Sequence, residues 1–306
     1  VTDRDLLHEL EGRAGDLLER HARVAQEWFP HDYIPYSMGR DFDKDPWTPD
    51  QARLTGIAQT AFHVNLLTED NLPSYHREIH RMFGGAKDSP WTEWLHRWTA
   101  EEGRHAIVLR DYLVVTRNID PEALERGRME TMMNGYDTEE KPSLQGMAYV
   151  AFQELATRVS HRNTGLYSQD PVADRIMARI AADENLHMVF YRDMLQSALE
   201  LAPDEAMEAV TREVVGFEMP GAGMAGFSRK SYDIAMAGIY DLRVHHDDVV
   251  QPLLKYWKIW DVEGLSARGE AARDELAAFL VQLDAQASKF EDRRERAAAR
   301  AARRAE

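Results

Sequence analysis

The 306-residue sequence contains no cysteine. That absence excludes disulfides, zinc ribbons, thiolate-ligated iron–sulfur clusters and cysteine nucleophiles. No stretch approaches the roughly 20 apolar residues of a membrane helix. The opening VTDRDLLHELEGRAG also lacks the apolar core of a secretory signal, so a cytoplasmic chain without a transmembrane segment is expected. Positive charge is scarce too: 37 Lys and Arg stand against 53 Asp and Glu, a formal net charge of −16. A protein that gains affinity by neutralising phosphates carries the opposite balance, which excludes nucleic acid as a partner. Sustained period-two alternation is missing as well, and with it any expectation of a sheet.

What is present is helical periodicity. Leu7, Leu10, Leu17, His21, Val24 and Trp28 recur at three- and four-residue steps. Thr48-Pro49-Asp50-Gln51, Ser89-Pro90 and Asp170-Pro171 each place a capping side chain before a first-turn proline. Helices are predicted near 3–28, 49–83, 90–117, 142–168, 171–200, 228–258 and 267–298. The breaks at 38–47 and 216–227 have neither the length nor the composition of an interdomain linker, so residues 1–306 read as one all-α domain. From residue 289 the chain runs KFEDRRERAAARAARRAE, a basic tail expected to end as a solvated or frayed helix.

One repeat carries chemistry. Ala100-Glu101-Glu102-Gly103-Arg104-His105 aligns with Ala182-Asp183-Glu184-Asn185-Leu186-His187 at an offset of 82, and the match continues through Arg110-Asp111 and Arg192-Asp193. Residues three apart share a helix face, so each Glu-x-x-His offers one carboxylate and one imidazole to the same side. A dinuclear site in a four-helix bundle needs one further glutamate from each of two partner helices. Glu69 and Glu102 are equidistant from the break at Gly85-Ala86, and Glu154 and Glu184 from Gln169, so two antiparallel hairpins would bring each pair level. Four buried carboxylates need compensation, because two unit charges about 4 Å apart repel by roughly 4 kcal/mol at an effective dielectric of about 20. Two divalent cations cancel them, and mixed oxygen and imidazole ligands suit iron or manganese.

These residues resemble the soluble acyl-acyl carrier protein desaturases, plastid stearoyl-type and especially bacterial, across nearly the whole chain. WTAEEGRH is similar to the family's WTAEENRH, AADENLH to its second motif, AFQELAT to SFQERAT or SFQELAT, and LLTEDNLPSYH to its first-glutamate helix. The resemblance implies a ferritin-like four-helix bundle core with additional flanking helices. It implies two irons, with Glu69 and Glu154 as terminal carboxylates, Glu102 and Glu184 as bridges, and His105 and His187 as one imidazole per iron. It further implies that Asp183 holds His105, that Arg104 and Trp28 extend that chain toward the surface, and that Thr157 lies near bound oxygen. Trp28 reads equally as a core anchor, and a helical threonine commonly bonds its own backbone. The activity implied is O2-dependent introduction of a cis double bond into a saturated acyl chain on acyl carrier protein, with ferredoxin as electron donor and a homodimer as the assembly. Since acyl carrier protein is acidic, a local basic patch is expected despite the net charge.

Three features depart from the family's pattern or bear on its geometry. Gly103 replaces an asparagine, HREIHRMF at 76–83 places charge where plastid enzymes are mostly neutral, and Pro73 should bend its helix beside the metals. Rival readings are a di-iron hydroxylase or N-oxygenase on the same scaffold, or a catalytically silent partner of acyl carrier protein. Gly221-Ala222-Gly223-Met224-Ala225-Gly226 satisfies a dinucleotide-binding pattern but has no strand before it. His245-His246-Asp247-Asp248 reads as a solvated face, and Met129, Met132 and Met133 as core.

Overall fold

A computed structural model describes residues 3–54, 56–136, 141–221 and 223–305. Among these there are helices and no strand. In chain order they are α1 (Asp3–Glu9), α2 (Glu11–Val24), α3 (Gly56–Asp70), α4 (Leu72–Phe83), α5 (Pro90–Val115), α6 (Pro121–Asn134), α7 (Ser143–Ser168), α8 (Pro171–Leu201) and α9 (Pro203–Val215). α10 (Phe227–Met236), α11 (Leu242–Val244), α12 (Gln251–Tyr256) and α13 (Ala267–Ala305) complete the order.

The four-helix core is a closed ring. α3 packs on α5 and α7, and α8 packs on the same two helices. Its two hairpins are set by the expected caps. Ser89 Oγ accepts from the Thr92 N–H at 3.3 Å and Pro90 opens α5. Asp170 Oδ1 accepts from Val172 and Ala173 at 2.8 and 2.9 Å, and Pro171 opens α8 after Gln169 turns the chain with φ 55°. Apolar side chains fill the space between α5, α8 and the flanking α2. Trp94 is buried with its ring stacked 3.7 Å from Phe190 and edge-on to Tyr191. Truncating such a side chain costs about 3–5 kcal/mol, because the cavity left behind closes only partly.

Several predicted boundaries shift for identifiable reasons. α2 ends at Val24, and Ala25 is extended (φ −62°, ψ 128°), so Trp28 reaches the core from a strand-like segment instead of a helix. Thr48–Gln51 forms a single 3-10 turn, and α3 starts only at Gly56. Asn71 separates α3 from α4. Pro73 has no N–H to return to the Glu69 carbonyl, so the bend falls where the sequence placed it. The helix expected over 228–258 is interrupted by a turn at Gly238 (φ 75°) and by a π-helical turn at His245–Val250. α6 and α9 were not among the predicted helices. Yet α6 begins with the signal used elsewhere: Asp120 Oδ1 accepts from Glu122 at 3.0 Å, ahead of Pro121.

The methionines expected in the core are instead on the surface of α6, with Met129, Met132 and Met133 at 56, 43 and 80% exposure. A Cβ on Gly103 would meet only Leu72 Cδ2 at 4.0 Å, so close packing does not demand glycine there. The glycine-rich decoy lies in turns with no strand nearby among the described residues, and its Ala222 falls outside them. The basic tail is helical to Ala305 and solvent-facing over most of its length. No helix among the described residues is long and apolar enough to cross a membrane.

Candidate metal centre

Glu69 comes from α3, Glu102 and His105 from α5, Glu154 from α7, and Glu184 and His187 from α8. All six are buried, at 0 to 6% exposure, although no other carboxylate-rich cluster of this size is found inside the bundle among the described residues. The three-residue spacing turns each histidine to the same side as its glutamate, and the matched heights of the hairpins bring the four helices' contributions together.

Two clusters result: Glu69, Glu102, His105 and Glu184, and Glu102, Glu154, Glu184 and His187. Glu102 and Glu184 belong to both, and each cluster adds one further carboxylate, Glu69 or Glu154, and one imidazole, His105 or His187. His105 Nδ1 lies 3.1 Å from Glu102, 3.3 Å from Glu184 and 3.6 Å from Glu69. His187 Nδ1 lies 2.7 Å from Glu102, 3.7 Å from Glu154 and 3.8 Å from Glu184.

The two histidines are braced crosswise. His105 Nε2 faces Asp183 Oδ2 at 3.4 Å, and His187 Nε2 faces Glu101 Oε2 at 3.0 Å. Thus the acid preceding Glu102 or Glu184 holds the imidazole of the other motif. Asp183 also accepts from Trp28 Nε1 at 2.7 Å, from Arg104 at 3.2 Å and from Arg179. The Arg104 guanidinium sits 4.9 Å from the Trp28 ring and donates to its carbonyl at 3.3 Å. On the other side, Glu101 binds His21 Nε2 at 2.8 Å and accepts from Arg97. Trp98 Nε1 donates to Glu154 Oε1 at 2.9 Å. Partners of this kind fix the tautomer and orientation of a ligating imidazole.

Glu101, His21, Trp98 and His161 were not singled out in the sequence. For Glu101 the signal was available, because the repeat pairs it with Asp183 at the same offset of 82. His161, two helical turns beyond Glu154, places Nε2 2.8 Å from Glu69 Oε1 and 3.8 Å from Glu184. Thr157 is buried, and its hydroxyl donates to the Gln153 carbonyl at 2.8 Å while accepting from Gln153 Nε2 at 2.9 Å. It lines a groove that reaches Glu69 and His161 beside α10.

The electrostatics match a site built for cations. Burial raises the Glu184 carboxyl well above the ordinary range, and the charges of Glu102 and Glu154 add to it. Burial opposes protonation of His105 and His187, but the surrounding carboxylates outweigh it and raise both. Asp183 is pushed down to about 2, its burial overcome by His105, Trp28 and Arg179. Without cations the cluster therefore gathers protons. Moreover, Glu102 Oε1, Glu154 Oε2, Glu184 Oε1 and His187 Nδ1 are all buried without a hydrogen-bond partner. His187 Nδ1 and Glu102 Oε1 are only 2.7 Å apart yet lack hydrogen-bond angles, as expected when two lone pairs aim at a common ion. Four carboxylates and two imidazoles fit two divalent ions in charge and in donor type.

Beside the clusters runs a narrow pocket, partly open to solvent, with a largely apolar exposed lining. Leu72, Tyr75, Ile79 and Met82 of α4 form one wall, Val150, Gln153 and Glu154 of α7 another, and Glu69, Trp98, Glu102 and Glu184 close it on the side of the two clusters. Tyr136, Lys141, Tyr149 and Pro220 are shared with an outer groove and so mark the mouth. Glu78 also lines it, its charge met by Arg77 at 2.9 Å and Arg81 at 3.2 Å. The charged stretch at 76–83 thus contributes one neutralised acid to the wall.

Comparisons with known proteins agree with this geometry. The family model described as fatty acid desaturase matches residues 2–306. The chain is 47% identical to the Mycobacterium tuberculosis protein named "Putative acyl-[acyl-carrier-protein] desaturase DesA1", over 99% of this chain and 92% of that one. It is 32% identical to chloroplastic stearoyl-[acyl-carrier-protein] 9-desaturase 1 of Oryza sativa, over 94% of this chain and 81% of that one. The X-ray structure of the "putative acyl-ACP desaturase DesA2" of M. tuberculosis superposes with a TM-score of 0.70 at 28% identity, covering 85% of this chain and 97% of that one. A bundle with this topology, carrying buried Glu and His clusters that suit a di-iron site, over a match that spans the chain, places this protein in the acyl-acyl carrier protein desaturase family.

Proposed function

We propose that the protein is an O2-dependent acyl-acyl carrier protein desaturase in which Glu69, Glu102, His105 and Glu184 hold one iron and Glu102, Glu154, Glu184 and His187 hold the other. The observation that carries this reading is the pair of clusters sharing Glu102 and Glu184 against an apolar cavity. Bound and reduced through an external ferredoxin, the two irons supply an oxidation in which O2, two electrons and two protons take two hydrogens from neighbouring carbons, leaving a cis double bond and two waters.

The residues of the chain do the rest. Leu72, Ile79, Met82 and Val150 would enclose the acyl chain and exclude water, so that one carbon pair is held against the metal face. Asp183 and Glu101 keep each Nε2 proton in place, which leaves Nδ1 free to ligate. We assign Trp28, hydrogen-bonded to Asp183 and covered by Arg104, to the route by which electrons arrive. Thr157 Oγ1, on the groove that reaches Glu69 from the α10 side, carries the exchangeable proton assigned to the oxygen side. Lys141 and Arg77 are the cations near the mouth for an acidic carrier, although Lys141 already pairs with Glu213 at 2.7 Å. A homodimer, measurable by light scattering, is the proposed assembly, with residues 1–306 acting as one domain in the cytoplasm.

The test supplies iron, O2, ferredoxin with its reductase and a series of saturated acyl carrier protein thioesters, with mass spectrometry of the products. Loss of two hydrogens is the expected result. A gain of one oxygen would turn the reading to a hydroxylase, and binding without turnover would turn it to a silent partner.

A further inference from the structure

The internal repeat continues outward beyond the two clusters. Arg97 and Arg179, Glu101 and Asp183, and His105 and His187 all keep the offset of 82. In each helix the arginine reaches the acid four residues on, Arg97 to Glu101 and Arg179 to Asp183. Each acid in turn faces Nε2 of the other helix's histidine. The N-terminal part of the chain then supplies one ring to each half. Trp28 Nε1 donates to Asp183 Oδ2 at 2.7 Å, and its ring stacks on His105 with centroids 6.4 Å apart and planes inclined by 14°. His21 of α2 repeats this on the other half. Its Nε2 lies 2.8 Å from Glu101 Oε2, and its ring stacks on His187 with centroids 5.9 Å apart and planes inclined by 23°. His21 is therefore the counterpart of Trp28.

The surroundings of His21 suit a residue that holds Glu101. Its ring is 4% exposed, and Trp94 stands edge-on to both His21 and His187, with centroids at 5.1 and 6.1 Å. An ionised carboxylate can only accept, so the proton shared with Glu101 sits on His21 Nε2. His21 Nδ1 has no hydrogen-bond partner among the described residues, which leaves Glu101 as the polar contact of this buried ring. Asp183 is held by Trp28, Arg104 and Arg179 besides His105, whereas Glu101 has His21 and Arg97 besides His187. Arg97 takes Oε1, so the oxygen that faces His187 is steadied by His21. We propose that His21 is the positioning residue for the His187 half of the centre: by fixing Glu101 Oε2 it fixes the His187 ring and the direction of its Nδ1 lone pair. The inference rests on the reading of the two clusters as a two-iron site. Loss of a partner behind a ligating histidine weakens metal binding about 10–100-fold, and His21, one contact further out, belongs at the lower end of that range.

Iron-loaded protein challenged with graded amounts of a ferrous chelator tests this without turnover, the iron kept by each chain being counted by elemental analysis. His21→Leu, which lacks the donor, should hold one of its two irons about tenfold more weakly than the parent and the other as tightly. In crystals of the half-stripped variant, the anomalous iron peak beside His187 should fade while the peak beside His105 stays. His21→Gln, whose amide nitrogen can take the place of Nε2, should recover most of the parent's retention, which a packing role alone would not produce. If His21→Leu does not fold, His21→Asn, polar but too short to reach Glu101, replaces it in the same comparison. Retention equal to the parent's in the variant without the donor, equal loss at both positions, or a glutamine variant no better than that one would overturn the assignment while leaving the two-iron reading intact. A parent that never takes up two irons would overturn that reading, and this assignment with it.

Discussion

Replacing Asp183 by asparagine tests the cross-bracing directly. The carboxylate gathers Trp28 Nε1 at 2.7 Å, Arg104 at 3.2 Å, Arg179 and His105 Nε2 at 3.4 Å around one buried charge. Its pKa of about 2, against an ordinary value of 3.8, arises because these donors outweigh the cost of burial. That depression corresponds to roughly 2–3 kcal/mol of folding stability. The sign follows from linkage: the contribution is complete above the unfolded value and is lost as pH falls toward the folded one. Asparagine keeps the shape and the Trp28 hydrogen bond but not the charge, leaving two arginines and the His105 N–H facing a neutral amide. Metal-free Asp183→Asn should therefore melt roughly 5–10 °C below the parent at pH 7, given about 2–4 °C per kcal/mol for large domains. The gap should persist at pH 5 and narrow below about pH 4, as the parent's own carboxylate protonates. Melts that coincide at pH 7 would refute the argument that this charge braces the bundle.

Other expectations follow from the same geometry. Glu184→Ala removes a carboxylate shared by both clusters and should abolish binding of both ions, whereas Glu69→Ala should retain about one per chain by elemental analysis. A Cβ on Gly146 would lie 2.3 Å from Met82 Sδ, so Gly146→Ala must push Met82 into the cavity. That variant should shift turnover toward shorter acyl chains, read by product mass, at a stability cost of about 1–3 kcal/mol. Glu184, His105 and His187 all have raised pKa values, so the metal-free protein holds extra protons that it loses as pH rises. Its urea midpoint should consequently be lower at pH 9 than at pH 6, while metal affinity rises over the same interval.

The part of the site legible in the sequence is the part written as spacing. Glu102 to His105 and Glu184 to His187 obey helical geometry, and the positions of Gly85 and Gln169 set the heights of Glu69 and Glu154. The all-helical class followed from the missing alternation. What spacing alone conveyed less well was the outer layer: Glu101 was visible through the repeat, but His21 lay within an apolar stripe and looked like core. His161 was hidden for another reason, since its partner Glu69 is 92 positions away on α3 and only packing brings them together. Trp28 illustrates the limit of periodicity, because it continues the stripe of α2 in sequence although the helix has already ended at Val24. The methionines of α6 fail in the opposite sense, apolar at helical spacing yet exposed.

The central claim is a dinuclear centre whose ions share Glu102 and Glu184. Crystals of the iron-loaded protein, with anomalous differences collected on both sides of the iron edge, address it without reference to turnover. Two peaks about 3.5–4 Å apart, flanked by those two carboxylates and capped by His105 and His187, are expected. A single peak, peaks elsewhere, or none from protein supplied with ample iron would contradict it.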